Sequence, residues 1–295
     1  MWVFITLFAA ACQSVRTAYQ NTLATEAGFL HATMARSLYA LPLVTGYLLL
    51  CIVLFGGVSL PTDSMFFMAA SLCALAQIMA TYFMLRVFQS GSFALGTMLA
   101  KTEAVLAALI GLPLLHYGLS AMAWLGIAVG VFGALVMSIK WKNLANIHRD
   151  ASFVFGLGSG FCFAVTSVMA SLASHSFEGS IMTSAGVTLL YVLLLQSAIL
   201  CGLQMVKSRD LMTPFRKSPQ LSWKVGIMSG LGSIGWFTAF ALVNPAMVKT
   251  LGQLEILGTL YYSKYRFSEK MNMRQWFGGV MIIISVILVT AATIK

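Results

Sequence analysis

Apolar runs of about twenty residues, separated by short polar stretches, follow one another along almost the whole chain. A helix rises 1.5 Å per residue, so ~20 apolar residues cross the ~30 Å hydrocarbon layer of a bilayer. The pattern fits ten such segments, near residues 2–22, 31–55, 64–87, 92–114, 120–139, 152–173, 180–205, 222–243, 246–262 and 274–294. The runs lack the strict alternation of strands, and a helix satisfies its own backbone hydrogen bonds in lipid. The sequence therefore predicts an all-α, polytopic membrane protein with ten transmembrane helices.

Composition points the same way. Of 295 residues, 59% are hydrophobic and 9% charged, and the mean hydropathy is +0.89. Soluble domains carry about 25% charged residues. The first segment contains Ala9-Ala10-Ala11-Cys12, which faintly resembles a lipoprotein cleavage site. No basic stretch precedes it and the apolar run continues through Val15, Ala18 and Leu23, so it is read as a retained helix. Cys12, Cys51, Cys73, Cys162 and Cys201 all fall inside predicted helices without metal-ligand or CxxC spacing, and are read as packing residues.

The net charge of +10 would suggest nucleic acid in a soluble protein, but here its distribution decides. Lys140, Lys142, Arg149, Lys207, Arg209, Arg216, Lys217, Lys224, Lys264, Arg266, Lys270 and Arg274 lie in or beside the predicted loops 5–6, 7–8 and 9–10, and Arg86 adds to loop 3–4. The even-numbered loops hold no Lys or Arg. By the positive-inside rule the odd-numbered loops face the cytoplasm and both termini, with Lys295, face the periplasm. The expected location is the bacterial inner (plasma) membrane, with the lipid bilayer as surrounding, no nucleic acid as partner, and a monomer or homodimer.

An internal repeat sets the architecture. At an offset of 152 residues, Phe88 matches Phe240, Ala94 matches Ala246, Leu99 matches Leu251, Glu103 matches Glu255, Trp124 matches Trp276 and Gly126 matches Gly278. Two halves result, residues 1–145 and 146–295, each with five helices. An odd number per half inserts the halves in opposite directions, giving two inverted five-helix repeats with a site near the midplane.

Candidate chemistry sits on that midplane. An acidic or basic residue at the centre of a membrane helix costs about 2.5–3.5 kcal/mol on insertion scales, so Glu103 and Glu255 are read as functional, in a coupling role. Gln13, Arg16 and Gln20 recur at helical spacing in the first segment and read as cavity lining, with interfacial or structural pairing of Arg16 as the alternative. Gln77 and Thr81 add an i, i+4 pair in the third segment. Lys249 and Gln253 are four apart, and the repeat maps them to Thr97 and Lys101. At 100° per residue the glutamates fall on another face from Lys101 and Gln253, so one face lines a cavity and the other meets neighbouring helices; the sequence leaves open which. Lysines would hold an anionic or zwitterionic group while a glutamate couples to protons. The structural alternative is ion pairing across the pseudo-axis, such as Glu103 with Lys249. Trp236 is a candidate stacking residue, with packing as its alternative. Gly126 with Gly130, Gly156 with Gly160 and Gly226 with Gly230 form small-xxx-small pairs for close helix approach. Pro42 is expected to kink the second helix, and Asn244-Pro245 to start the ninth.

The stretch Ala35-Arg36-Ser37-Leu38-Tyr39-Ala40-Leu41-Pro42 resembles the Arg-aromatic-Ala-Leu-Pro signature of EamA-like, ten-helix members of the drug/metabolite transporter superfamily. Phe267-Ser268-Glu269-Lys270 through Trp276-Phe277-Gly278 is similar to that family's loop glutamate, basic residue and glycine-rich last helix. The resemblance implies solute transport, often export, through a basket of ten helices. The first half departs from it, with Tyr117 aligned to Glu269. Half-size multidrug relatives use a first-helix glutamate for cation export, whereas this segment offers Gln13, Arg16 and Gln20, which disfavours that mechanism. Family members commonly keep both termini in the cytoplasm, against the charge count here.

The chain is accordingly expected to be a non-enzymatic secondary transporter. It would move a small organic metabolite, amino-acid-like and anionic or zwitterionic, outward across the membrane, with proton coupling as one option. No GxxxxGK[ST] motif is present, and no cofactor or metal is called for. The alternatives are an uncoupled facilitator or exchanger and, further off, a membrane-embedded enzyme or a scaffold. Glu255 is favoured over Glu103 as the coupling group, because Lys249 and Gln253 enrich its helix and Glu269 survives only in that half.

Overall fold

A computed structural model describes residues 1–55, 61–89, 101–115, 118–138, 151–208, 216, 218–255 and 273–292. Thr97, Tyr117, Lys140, Lys142, Arg149, Arg209, Lys217, Lys264, Arg266, Glu269, Lys270 and Lys295 lie outside the described residues. The described chain is helical, in the order α1 (Trp2–Ala27), α2 (Phe29–Leu38), α3 (Leu41–Phe55), α4 (Ser64–Gln89), α5 (Glu103–Leu115), α6 (Ala121–Ser138), α7 (Ala151–Ser174), α8 (Ile181–Ser208), α9 (Pro219–Leu242), α10 (Pro245–Gly252) and α11 (Met273–Ala292). Each of the ten apolar segments read from the sequence overlaps one of these helices or, for the second, two.

Five stretches are long and apolar enough to cross a membrane: Phe29–Phe55, Ser64–Val87, Phe153–Ser174, Ile181–Lys207 and Pro219–Leu242. Glu103–Leu115, Ala121–Val136 and Trp276–Ala292 are shorter apolar helices. The 26-residue α1 has the length, but Gln13, Ser14, Arg16, Thr17 and Gln20 lower its hydropathy. Burial is inverted relative to a water-soluble protein. Phe4, Val53 and Ile287 are exposed, whereas Arg16, Gln20, Arg36, Gln77, Glu103, Lys249 and Gln253 are buried. Lipid is the surrounding that makes this arrangement favourable.

Local chemistry explains the helix ends that matter for the centre. Gly28 links α1 to α2 with φ 94°, a backbone region that other residues enter only under strain. The second segment does not bend at Pro42 as one kinked helix; it divides into α2 and α3. Proline has no N–H to offer the Leu38 carbonyl four residues earlier, so α2 stops at Leu38 and Pro42 falls in the first turn of α3, where it is tolerated. At the α9–α10 junction the Asn244 side chain accepts from Ala246 N–H at 3.0 Å and Pro245 opens α10, as the sequence predicts.

Three helix pairs form the frame: α1 on α9, α4 on α7, and α6 on α11. Glycine permits the last. A Cβ at Gly126 would lie 2.7 Å from Val289 Cγ2, and one at Gly133 2.8 Å from the Gly278 carbonyl, so the two backbones approach as only glycine allows. Inside the frame α5 packs on α7 and on the short α10, which also meets α1. That interior carries the buried charges.

Candidate functional site

The two central segments turn at matching places among the described residues. Turns at Lys101-Thr102 and Gln253-Leu254 stand 152 positions apart, the offset of the repeat, and a glutamate follows each turn directly. Glu103 is the first residue of α5, where a carboxylate is stabilised by the positive end of the helix dipole.

Across these turns the charges pair crosswise. Lys101 Nζ donates to Glu255 Oε1 at 2.5 Å, and Lys249 Nζ donates to Glu103 Oε2 at 3.0 Å. Each lysine thus takes its counter-charge from the other half of the chain. The ion pairing of Glu103 with Lys249 considered from the sequence is present. Gln13 of α1 joins the first pair, its Nε2 donating to Glu255 Oε2 at 3.3 Å.

A cavity opens beside these pairs. Its lining combines cationic and polar side chains, Gln13, Arg16, Arg36, Gln77 and Lys249, with the aromatic Phe163, Trp236, Phe237 and Phe240 and with Thr166 and Ser233. The Lys249 ammonium lies 5.0, 5.3 and 5.6 Å from the ring centres of Trp236, Phe163 and Phe240, so it is held by π-faces as well as by Glu103. Trp236 stacks on Phe240 at 5.8 Å and rests on Gly252, where a Cβ would meet its ring. Its indole N–H has no hydrogen-bond partner.

Both arginines are fully enclosed, Arg16 at 4% and Arg36 at 3% exposure, and the Nε atom of each lacks a partner. Arg36 Nη1 donates to Thr81 Oγ1, which in turn donates to the Gln77 carbonyl at 2.9 Å. Gln196 of α8 fixes the Gln77 side chain, its Nε2 donating to Gln77 Oε1 at 2.7 Å. The Arg36 guanidinium is thus oriented by Thr81, which is itself anchored on the α4 backbone.

Of the residues singled out in the sequence, Gln13, Arg16, Gln77, Trp236 and Lys249 border the cavity. Thr81 stands behind Arg36, and Lys101, Glu103 and Glu255 form the crossed pairs next to it. Gln253 turns elsewhere, toward α6, where its Oε1 would lie 3.0 Å from a Cβ at Gly130; both ends of its amide lack partners. Sequence reasoning missed Arg36 as a site residue and read it only as part of a motif. The cost of a charge inside a membrane segment, the argument applied to the glutamates, would have found it. Phe163 and Thr166 gave no signal, since their segment carries no charge and its scattered Phe, Ser and Thr residues read as packing.

Residues 151–291 match the model of the EamA-like transporter family. No curated protein sequence matches the chain. A crystal structure of a protein 15% identical superposes with a TM-score of 0.71, covering 100% of this chain and 99% of that one, a likeness of fold.

Proposed function

We propose that the chain, whose residues 151–291 match the EamA-like transporter family of small-solute membrane transporters, moves an anionic or zwitterionic organic metabolite, amino-acid-like in size, across the bacterial inner membrane. The observation that carries this reading is the convergence of Arg16, Arg36 and Lys249 on one cavity with aromatic side chains in its lining. Cations at that depth are costly unless compensated, and a carboxylate-bearing solute compensates them. Gln13, Arg16, Gln77, Trp236 and Lys249 would contact it directly, with Thr81, Lys101 and Gln253 behind them. Export is the direction common in the family the chain resembles.

Alternating access between two inverted five-helix halves is the proposed mechanism. Exchanging the halves turns the α1–α9 pair into the α4–α7 pair and maps α6–α11 and α5–α10 onto themselves, which supports the inverted repeat. The matched turns before Glu103 and Glu255 support it as well.

Proton coupling is assigned to Glu255, with Glu103 as its counterpart. Glu255 meets Lys101 and, through Gln13, the cavity, so protonating it would loosen two contacts at once. Purified protein in liposomes should exchange labelled carboxylate solutes by counterflow. Glu255→Gln should keep that exchange yet lose pH-driven accumulation; full accumulation by the variant would overturn the assignment. Uncoupled exchange is the second reading, favoured by the ion pair each glutamate already makes.

A further inference from the structure

Charge at the centre of the molecule does not balance. Four cations meet there among the described residues, Arg16, Arg36, Lys101 and Lys249, against the two carboxylates of Glu103 and Glu255. The lysines use the carboxylates at 2.5 and 3.0 Å, leaving a surplus of two positive charges on the two arginines. Arg16 shares in the field of Glu255, but Arg36 donates to the neutral Thr81 hydroxyl on α4 and faces Arg16 as a like charge. Burying two like charges beside one cavity is unfavourable, and water cannot screen them at this depth. The unpartnered Nε atoms add unmet donors on two side chains that are each more than nine-tenths buried. Guanidinium groups suit planar or tetrahedral oxyanions, which accept several of their donors together. In the same lining, the unpartnered Trp236 indole N–H and the rings of Phe163 and Phe240 offer apolar surface with a single donor.

We infer that the solute is a doubly charged organic anion with a flat apolar body, its acid groups held by Arg16 and Arg36 and its body laid against Trp236, Phe163 and Phe240. This specifies the transport reading above and rests on it. A dicarboxylate and a phosphate monoester both supply two negative charges, and the experiment separates them. A zwitterion or monoanion leaves at least one guanidinium charge uncompensated.

The test is thermal stabilisation of the full chain in detergent at pH 8, where a phosphate monoester, with its second pKa near ~6, carries both charges. The probes are phenylsuccinate, phenyl phosphate, phenylacetate, phenylalanine and inorganic sulfate. Phenylsuccinate or phenyl phosphate should bind at least about tenfold more tightly than phenylacetate, as one additional desolvated charge contact supplies, and whichever is tighter names the acid group. Phenylacetate or phenylalanine binding equally well would overturn the dianion while leaving anion transport in place. Sulfate matching both aromatic dianions would overturn the apolar body. If none of the probes binds and the protein gives no carboxylate counterflow, both readings fall. Arg36→Gln should weaken the dianion about 30-fold or more and phenylacetate only slightly, because the second charge loses its partner. Its ligand-free melting temperature should hold or rise, since a like charge is removed. Arg36→Lys should restore part of the affinity. A variant that melts earlier without ligand yet still prefers the dianion would mean that Arg36 is structural, and the inference would fail.

Discussion

The ammonium of Lys249 is held by Glu103 at 3.0 Å and lies 5.0 Å from the centre of the Trp236 ring, so one side chain joins α5, α9 and the cavity wall. Two negative surfaces compete for this cation, a carboxylate and a π-face. Whatever anion enters the cavity joins the same competition.

Removing one member of a buried pair leaves the other charge without compensation. Lys249→Met is expected to destabilise the fold by about 3–5 kcal/mol, and Lys249→Met combined with Glu103→Leu to recover most of that loss. Melting curves of the two single variants and the double variant check it. Losses that simply add would mean that the two residues do not stabilise each other.

Trp236 combines packing against Gly252 with a face on the cavity. Trp236→Phe should fold and keep solute binding within about tenfold, because an aromatic face of somewhat smaller area remains. Trp236→Leu should lose more, through both the cation–π contact to Lys249 and the stacking on Phe240. Equal affinities for the two variants would remove the ring from the recognition surface.

How far these features can be read from sequence varies along the chain. Helix positions were legible because hydropathy reports the thickness of the bilayer, and the predicted ends fall within a few residues of α4, α6, α7 and α11. The interior of the fourth and ninth segments was not. Wheel angles placed Glu103 and Lys101 on different faces of one continuous helix, but the chain turns at Lys101-Thr102 and again at Gln253-Leu254. Neither dipeptide contains the glycine or proline that marks such a break, and a helical wheel has no meaning across one. Lys249 and Gln253 keep their i, i+4 spacing through α10 and its helical C-cap, yet their long side chains end apart, one at the cavity and the other toward α6.

The α6–α11 contact gives a test independent of transport. Gly130→Val should destabilise by about 1–3 kcal/mol, because its Cβ would run into Ser285 Oγ and approach Gln253 Oε1. Gly118→Ala, where nothing lies within 4 Å, is the matched control and should stay within about 0.5 kcal/mol. Comparable melting temperatures for the two would argue against close packing at this seam.

Topology has its own measurement. Ser218 Oγ donates to Glu26 Oε2 at 2.8 Å, and Lys224 lies over the Tyr19 ring, so the end of α1 and the start of α9 share one side of the molecule. The positive-inside rule predicts that this side is cytoplasmic and that Asp63 is periplasmic. In a cysteine-free background, Asp63→Cys should react with a membrane-impermeant maleimide added to intact cells, and Lys207→Cys only after lysis. The reverse pattern would invert the molecule.

The crossed lysine–glutamate pairs bear on how the protein is made. Lys101 and Glu103 reach the membrane while Lys249 and Glu255 are still untranslated, and neither early charge can settle against its native partner until the ninth segment arrives. The first half is thus left waiting in lipid with a charge of each sign, an unfinished state that cellular quality control can detect. Residues 1–145 expressed alone should be degraded quickly, and co-expression of residues 146–295 as a separate chain should prolong their lifetime, a rescue that Lys249→Met in the second chain should weaken.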